Sequence, residues 1–144
     1  SRSKPTSRRS KRPAVSDVRA VRYLLANNAT LIAQVPAARI VIGVLIQDTA
    51  LPAISVTHVS TVRQQMVAAS SGICIARVQV TVMAASYESQ KSVMALVRAA
   101  LPRSRGVVDG VAVDNIIPDT EGPDFTDEAG LYMGSIDYRV TYTE

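Results

Sequence analysis

The sequence predicts an α+β domain: a two-layer sandwich with helices packed on one face of a mainly antiparallel sheet of about four to five strands. Three observations lead to this prediction. Apolar and polar residues alternate along 73–83 and 134–143, which is the period of a half-buried strand. Apolar residues recur at helical spacing along 18–25 and 93–101. The helices stand before and after runs of strands, which is typical of the α+β class.

Residues 1–14 are predicted to form an extended basic arm outside a single domain that covers 15–144. The arm has no apolar periodicity, so it buries too little surface to offset the entropy of ordering it. Six of the 16 Lys and Arg residues lie in the arm, which has no acid, so the rest of the chain has ten basic and twelve acidic residues. The net charge of +4 therefore comes from the arm. Its cations are Arg2, Lys4, Arg8, Arg9, Lys11 and Arg12.

Two helices are predicted ahead of the first strand. Ser16 followed by Asp17 is a start signal, with an N-cap hydroxyl and then an acid in the first turn. Asn27-Asn28 is the predicted stop of this helix. Thr30 is expected to cap a second, short helix over 31–35.

The middle of the chain predicts three strands and one long loop. Residues 39–46 and 53–59 are rich in Ile and Val, and a Leu-Pro step separates them. Residues 60–72 end in Ser-Ser-Gly and are predicted to be a flexible connection. The alternating segment 73–83 is the clearest strand of the chain.

The C-terminal half predicts a helix, a strand, a loop and a last strand. Ser86 is expected to cap a helix from Tyr87 to about Leu101. Residues 107–117 are predicted to be a strand that Asp109-Gly110 interrupts. Residues 118–130 contain Pro, Gly and several acids and are predicted to be a loop before the alternating last strand.

The sequence gives no support for an enzyme. His58 is the only histidine and Cys74 the only cysteine, so a Ser–His–Asp or Cys–His site would have to use them. No phosphate-binding glycine loop, dinucleotide fingerprint or zinc spacing is present. We therefore predict no catalytic residues, no metal and no cofactor. His58 is expected to be packed or at the rim of the core, and Cys74 to be a small buried hydrophobe.

The acidic segment 118–130 is a weak candidate for cation binding. Hard cations take several carboxylate and carbonyl oxygens, but the spacing of these acids does not match the calcium-loop pattern. A solvated loop, or one that docks against basic groups of another subunit, is the preferred interpretation. The acids are Asp119, Glu121, Asp124, Asp127 and Glu128.

The basic arm leaves three hypotheses open. It is expected to dock on a protein partner, giving a wide contact from few residues. In the second hypothesis the arm binds DNA. The affinity would then fall as the salt concentration rises, because cations that neutralise phosphates release the counterions of the DNA. The third hypothesis is a solvated tail.

Several short segments, in chain order, resemble the tail-completion (tail-terminator) family of long-tailed bacteriophages. The first is a helix that contains Leu-Leu and is followed by small residues. The next two stand at the starts of two strands. The last two are an alternating strand and the end of the helix that follows this strand. The resemblance covers most of residues 16–143. The segments are Tyr23–Ala29, Arg39-Ile40, Leu51-Pro52, Ala76–Val80 and Val97–Leu101.

This resemblance implies a structural virion protein of the tail or neck, assembled in the host cytoplasm. The family's subunits form a hexameric ring that caps the tail tube, stops its elongation and gives the head a joining surface. The implied partners are other copies of the chain, the tube protein, a head–tail connector and DNA passing through the lumen. No membrane contact is predicted, since no apolar run reaches the roughly 18–20 residues that span a bilayer.

The two predicted loops, 60–72 and 118–130, are the expected contact regions, because loops adapt to partners while the sandwich positions them. A different neck protein, such as a stopper or adaptor, and a small DNA-binding module that uses the arm remain as alternatives. The candidate contact residues are Arg63, Gln64, Gln65, Met66, Asp119, Glu121, Asp124, Asp127 and Glu128.

Overall fold

Seven strands form one mixed sheet, curled into a half-barrel, in the part of the chain that the structure describes. The structure is a computed structural model, and it describes residues 16–43, 50–65, 70–101, 106–108, 110–126 and 130–143. The strands are β1 (Ile40–Ile42), β2 (Ala53–Gln65), β3 (Ser70–Ala84), β4 (Gly106–Val108), β5 (Val111–Glu121), β6 (Phe125–Thr126) and β7 (Tyr132–Thr143).

The order of the strands across the sheet is β1-β2-β3-β7-β5-β4, and β6 pairs with β7 beyond the end of β5. The β1–β2 pair is parallel, and the other pairs are antiparallel. The mixed α and β composition agrees with the prediction. The expected count of four to five strands and the plain two-layer arrangement are wrong, because the sheet has short additional strands and curls around the helices.

Three α-helices are present in the described residues: α1 (Ser16–Ala26), α2 (Ala29–Ile32) and α3 (Tyr87–Ala100). The cap of α3 is as predicted, since Ser86 Oγ accepts a hydrogen bond from the Ser89 amide at 3.2 Å. The cap of α2 is Asn28 and not Thr30, because the Asn28 carboxamide oxygen accepts from the Leu31 amide at 2.9 Å. Asn at an N-cap satisfies the same orphan amide as a hydroxyl does.

The predicted loop over 60–72 is wrong, because β2 and β3 form a long hairpin that includes most of it. The register explains the error. His58 pairs with Val78 but Ser60 pairs with Arg77, so one residue is bulged, and a second irregularity lies between Arg63 and Gln65. Each bulge reverses which residues face the core, so the period of two is lost along the strand.

The predicted loop over 118–130 is wrong in its first part. Strand β5 continues to Glu121, with bulges on either side of the segment 115–118, and Phe125-Thr126 pair with β7. Pro118 is tolerated there because β5 lies near the edge of the sheet, where one side of the strand needs no ladder hydrogen bond. The predicted break at Asp109-Gly110 separates β4 from β5, and Gly110 has a φ of 79°.

The core lies between the inner face of the sheet and the two longer helices. Helix α1 contacts the strands from β1 to β5 and also both other helices, and α3 contacts β3, β7 and α2. Burying each large aliphatic side chain stabilises the fold by roughly 1.5–3 kcal/mol. Cys74 is buried in this core, as predicted. The residues of β3 that face inward are Cys74, Ala76, Val78, Val80 and Val82.

Gly134 on β7 provides the space in which the buried side chain of Gln90 lies. A Cβ at Gly134 would stand 1.8 Å from Gln90 Nε2 and 3.0 Å from Met94 Cε. From this position Gln90 Nε2 donates to Asp124 Oδ1 at 3.3 Å. The glycine therefore allows α3 to pack closely on β7. It also leaves room for the Gln90 side chain, which connects α3 to Asp124 in the segment after β5.

We predict that Gly134→Ala destabilises the protein by about 1–3 kcal/mol, the usual cost of overpacking a filled site. Gln90 must move away from Asp124 to admit the methyl group. Thermal and denaturant unfolding measure the effect. Gly122→Ala is the matched control, because its Cβ would meet only the Ser135 hydroxyl, at 3.1 Å, and the backbone carbonyl of Ser135, at 3.9 Å. Equal stability of the two variants would contradict the prediction.

Tyr138 is fully buried, and its hydroxyl has no hydrogen-bond partner among the described residues. Burial raises the pKa of this phenol to about 12, with the nearby Arg98 lowering it and Glu121 raising it to a smaller extent. An unpartnered buried hydroxyl costs about 1–3 kcal/mol. The raised pKa has a separate consequence for the dependence of stability on pH. Because the phenol holds its proton more tightly in the folded chain than in the unfolded chain, it contributes stability that is fully present below the unfolded pKa of about 10. This contribution is lost as the pH rises towards 12.

We predict that Tyr138→Phe leaves stability at neutral pH unchanged or raises it by about 1 kcal/mol, because it removes an unpartnered polar atom. The variant should also lose less stability than the native chain between about pH 10 and 12, since one group no longer titrates on unfolding. Denaturant unfolding across this pH range measures both effects. The control is Tyr132→Phe, at a half-buried position on the same strand. A clear loss of stability at neutral pH in Tyr138→Phe would refute the prediction.

Candidate assembly interface

Strand β2 has a long side without a strand partner in the described ranges. Strand β1 covers it only from Ile54 to Val56. The rest of this side, residues 57–65, is called the β2 edge below. On it, Val59 is 50% exposed and Val62 is 62% exposed. An exposed strand edge with apolar side chains is a template for pairing with another chain, and soluble proteins usually protect such edges.

The opposite side of the sheet ends in β4 and β5, called the β4–β5 edge below. Along β5, two bulges and Pro118 interrupt the row of backbone donors and acceptors, and the exposed Asp114 adds a charge. These are the devices that oppose pairing between strand edges. Strand β4 lies outermost and carries Val107, which is 77% exposed. Pairing at this edge is therefore confined to the short β4.

The structure places the first group of predicted contact residues on the β2 edge and not on a loop. Arg63, Gln64 and Gln65 belong to strand β2, and Arg63 is exposed. Met66 lies outside the described residues. Their assignment to a contact with another subunit remains a prediction, now attached to a strand.

Asp119, on β5, is part of a charged cluster on the outer face of the sheet. Its carboxylate lies 2.8 Å from Arg77 Nη1 and 3.5 Å from Arg139 Nη2. Arg77 also donates to Asp137 at 3.4 Å, and Gln79 donates to the same carboxylate at 3.3 Å. The acids are less exposed than the arginines, 21–23% against 39–52%. The cluster therefore ties three neighbouring strands together and presents guanidinium groups outward.

Asp124 is held by side chains of α3. Tyr87 Oη donates to it at 3.0 Å, and Lys91 Nζ lies 2.9 Å from its Oδ2. The hydrogen bond from Lys91 is the main reason why the pKa of Asp124 is lowered, and the same bond raises the pKa of Lys91. Lys91 Nζ also lies 5.3 Å from the centroid of the Tyr87 ring, within the range of a cation–π contact. This carboxylate already has its counterion within the chain.

Glu121 pairs with Arg98 near the other end of α3, at 3.2 Å between Nη1 and Oε2. All three acids described in the segment 118–130 thus have basic partners in their own chain. Asp127 and Glu128 lie outside the described residues. The expected contacts of these acids with another subunit remain predictions, but docking inside the chain accounts for the three described charges.

Sequence reasoning missed the basic partners, Arg77, Lys91, Arg98 and Arg139, because each lies 20 or more positions from its acid along the chain. The alternation of β3 and β7 placed Arg77, Asp137 and Arg139 on the polar face. Only the register, in which Arg77 is opposite Arg139, shows that one acid bridges both arginines.

His58 lies at the rim of the core, where it contacts the start of α1. Its Nδ1 is 2.5 Å from Oδ2 of the buried Asp17, and its Nε2 is 3.4 Å from the Thr61 hydroxyl. The His58 side chain is 40% exposed and that of Asp17 is 1% exposed. The pair fixes the first turn of α1 to the bulge of β2. A catalytic triad also needs an oxyanion site and a nucleophile at hydrogen-bonding distance, and the 3.4 Å contact with a threonine is a poor fit.

Two hollows at the surface of the described residues are small. One beside Tyr87, Phe125 and Tyr132 has a volume of about 120 Å³, and another beside Val62, Arg77 and Arg139 has about 180 Å³. Sites for small-molecule ligands usually measure about 300–1,000 Å³. These two fit a single side chain of a partner better than a ligand.

Within the described ranges, no group of three or more His, Cys, Asp or Glu side chains is arranged to hold a metal ion. None of the described helices has the length and apolarity needed to cross a membrane. The predicted partner-binding arm, Arg2 to Arg12, lies outside the described residues.

Comparison with known proteins identifies the fold and the family. One solved structure with a similar fold is a chain from the virion of a native gene transfer agent (GTA) particle. It aligns with a TM-score of 0.75 over 92% of this chain and 100% of that chain, at 17% sequence identity. No curated protein sequence matches the chain.

A protein-family model described as "Tail completion protein gp17" matches residues 19–143, which contain every described strand and α2, α3 and most of α1. The resemblance predicted from short segments is therefore confirmed. The chain belongs to the tail completion protein family, whose members are structural components of virion tails.

Proposed function

We propose that this protein forms a closed ring that caps the tail tube, stops its elongation and provides the surface to which the head joins. The observation that carries the proposal is the family match over residues 19–143. The similar fold of a chain in a gene transfer agent virion agrees with it. The proposed partners are the tube protein, a head–tail connector and further copies of the chain, which form a hexamer if the ring follows the family resemblance.

The proposed mechanism is geometric. A head-to-tail contact between identical subunits closes into a ring when the rotation per step divides a full turn. Such a ring has two unlike faces. One face can match the docking surface of the tube, while the other offers no site for the next ring of tube subunits. Elongation then ends without a chemical step.

Two features of the molecule support a role in assembly. The β2 edge exposes Val59 and Val62 on a side of β2 that has no strand partner in the described residues, and this kind of surface can pair with another chain. The surface hollow beside Val62 has the size of a side chain. The basic arm would extend the contact to an adjacent subunit or ring.

We predict that particles assembled without this protein carry tails of abnormal and variable length that do not join heads. Tube growth would then lack the ring that ends it. Electron microscopy of the tail-length distribution measures the effect, and supplying the native chain in trans should restore one length. Tails of normal length joined to heads in its absence would refute the proposal and would favour a different neck protein, such as a stopper or adaptor.

The charge of the arm favours a second candidate function, binding of DNA. Its six cations would neutralise phosphates, so the logarithm of the affinity would fall steeply and linearly with the logarithm of the salt concentration. Under our preferred proposal the arm binds protein. Deleting residues 1–14 should then weaken incorporation into tails and leave any DNA affinity and its salt dependence unchanged. A loss of DNA affinity together with a shallower salt dependence would support the second candidate instead.

A further inference from the structure

The hollow of about 120 Å³ beside the first turns of α3 has aromatic walls, and its lining side chains all belong to the described residues. Tyr87 is 49% exposed there and Phe125 is 50% exposed. Lys91 lies over the ring of Tyr87, and Tyr132 makes a T-shaped contact with the same ring at 6.5 Å between centroids. Within the described residues no such contact involves Phe125, so its ring can receive a partner.

The hollow also contains a hydrogen-bond acceptor without a donor. Gln90 lines the hollow and is 0% exposed. Its Nε2 donates to Asp124, whereas its Oε1 accepts no hydrogen bond from the described residues. A buried acceptor without a donor costs free energy, which a donor entering the hollow would recover. Asp124 already accepts from Tyr87, Gln90 and Lys91, so the hollow lacks a donor and not a counterion.

Every Lys and Arg of the described residues already has a partner within the chain. Outside these residues the sequence contains the six cations of the arm, residues 1–14, and Arg103 and Arg105. The latter two follow the C-terminal end of α3, whereas the hollow lies at its N-terminal end, about 20 Å away along the helix. The arm is therefore the better source of a donor. The cations with partners are Arg19, Arg22, Arg39, Arg63, Arg77, Lys91, Arg98 and Arg139.

We propose that the basic arm of one copy docks in the hollow of a neighbouring copy, where an arginine side chain stacks on Phe125 and donates to Gln90 Oε1. This inference rests on the ring suggested under the proposed function, and it names a contact between the subunits of that ring. A guanidinium group suits both requirements, because it is planar, stacks on aromatic rings and donates several hydrogen bonds without accepting any. The arginines of the arm are Arg2, Arg8, Arg9 and Arg12.

The direction of α1 favours a neighbouring copy over the same chain. Asp17, at the start of α1, contacts His58, whose row of strand partners leads to Tyr138 on β7. Further along the helix, Arg22 donates to the backbone of β1 at 2.8 Å, in the row that leads to Gly134 beside the hollow. Helix α1 thus runs towards the end of the sheet where the hollow lies. The arm joins the helix at the opposite end, away from the hollow of its own chain.

The length and chemistry of the arm also fit this role. Residues 1–14 span at most about 50 Å when fully extended, which exceeds the width of about 35 Å of a domain of this size. The arm can therefore reach an adjacent subunit. A nucleic acid fits the hollow less well, because its phosphate oxygens are acceptors and give no donor to Gln90.

Cysteine cross-linking tests this contact in the full-length chain. S10C places a thiol in the arm, and T126C places one at the rim of the hollow, beside Phe125. A short bis-maleimide is added to the mixed single variants, to the double variant and to assembled tails. The native Cys74 is only 1% exposed, so its background reaction is small. We expect dimers from the mixture and a ladder of multimers from the double variant.

The control for the cross-link is A112C, because Ala112 is exposed on β5 opposite Thr143, at the other end of β7 from the hollow. Equal yields of dimers with A112C and with T126C would overturn the inference. A link within single chains of the double variant, without dimers from the mixture, would show that the arm docks on its own chain and would also overturn it.

Further outcomes separate this inference from the proposed function. Closed oligomers without a link between the arm and the rim of the hollow would overturn the inference and leave the ring intact. Absence of any closed oligomer, both in solution and in tails, would refute the ring itself.

A double-mutant cycle provides an independent measurement. F125A should weaken self-association by about tenfold, because a stacked cation loses its ring. The same change should have little effect in a chain whose six arm cations are replaced by Gln, since both changes remove one contact. Y23A is the matched control, because Tyr23 is 43% exposed on α1 and does not line the hollow. Thermal unfolding verifies folding. Equal weakening by F125A in both backgrounds, or by Y23A, would contradict the proposed docking.

Discussion

The pairing of β3 with β7 is the interaction on which the rest of the structure depends. Every residue from Ile73 to Ala84 is in register with one from Tyr132 to Thr143. On the inner face this ladder supplies valines, Ile136 and the buried Tyr138 to the core, against which both longer helices pack. On the outer face it supplies the polar residues of the charged cluster. Since β2 and β5 are added on either side of this pair, its register determines the position of both outer regions of the sheet.

The same pair explains how much of the fold the sequence could predict. Strand β7 and most of β3 alternate without a bulge, and α3 has a capping serine and an apolar stripe, so local pattern was sufficient for them. Strands β2 and β5 contain bulges, which reverse the alternation and made their outer halves look like loops. Strand β6 has only two residues, and its existence depends on pairing with β7, a contact that no local pattern encodes.

The candidate interface was predictable only in part, for a related reason. The sequence identifies Arg63 and the acids as exposed and charged, but it does not show which charges already have partners. Asp119, for example, is neutralised by Arg77, which is 42 positions away and becomes its neighbour only through the strand order. Strand β2 has no strand partner beyond Val56 on its outer side in the described residues, whereas β5 is protected, and this contrast is likewise a property of the sheet. The two exposed valines that mark these edges have no signature in the sequence.

The difference between the two edges affects how copies of a small domain can pair with one another. If both edges were open along their full length, subunits could add without limit in several registers, and growth would end in aggregates. If both were blocked, the chain would remain a monomer. In the described residues, β2 has a long edge without a strand partner, whereas Pro118 and two bulges restrict the opposite side to the three residues of β4. The two edges are therefore unlike, and a contact between unlike surfaces is head-to-tail, the kind of contact that closes into a ring when its rotation divides a full turn.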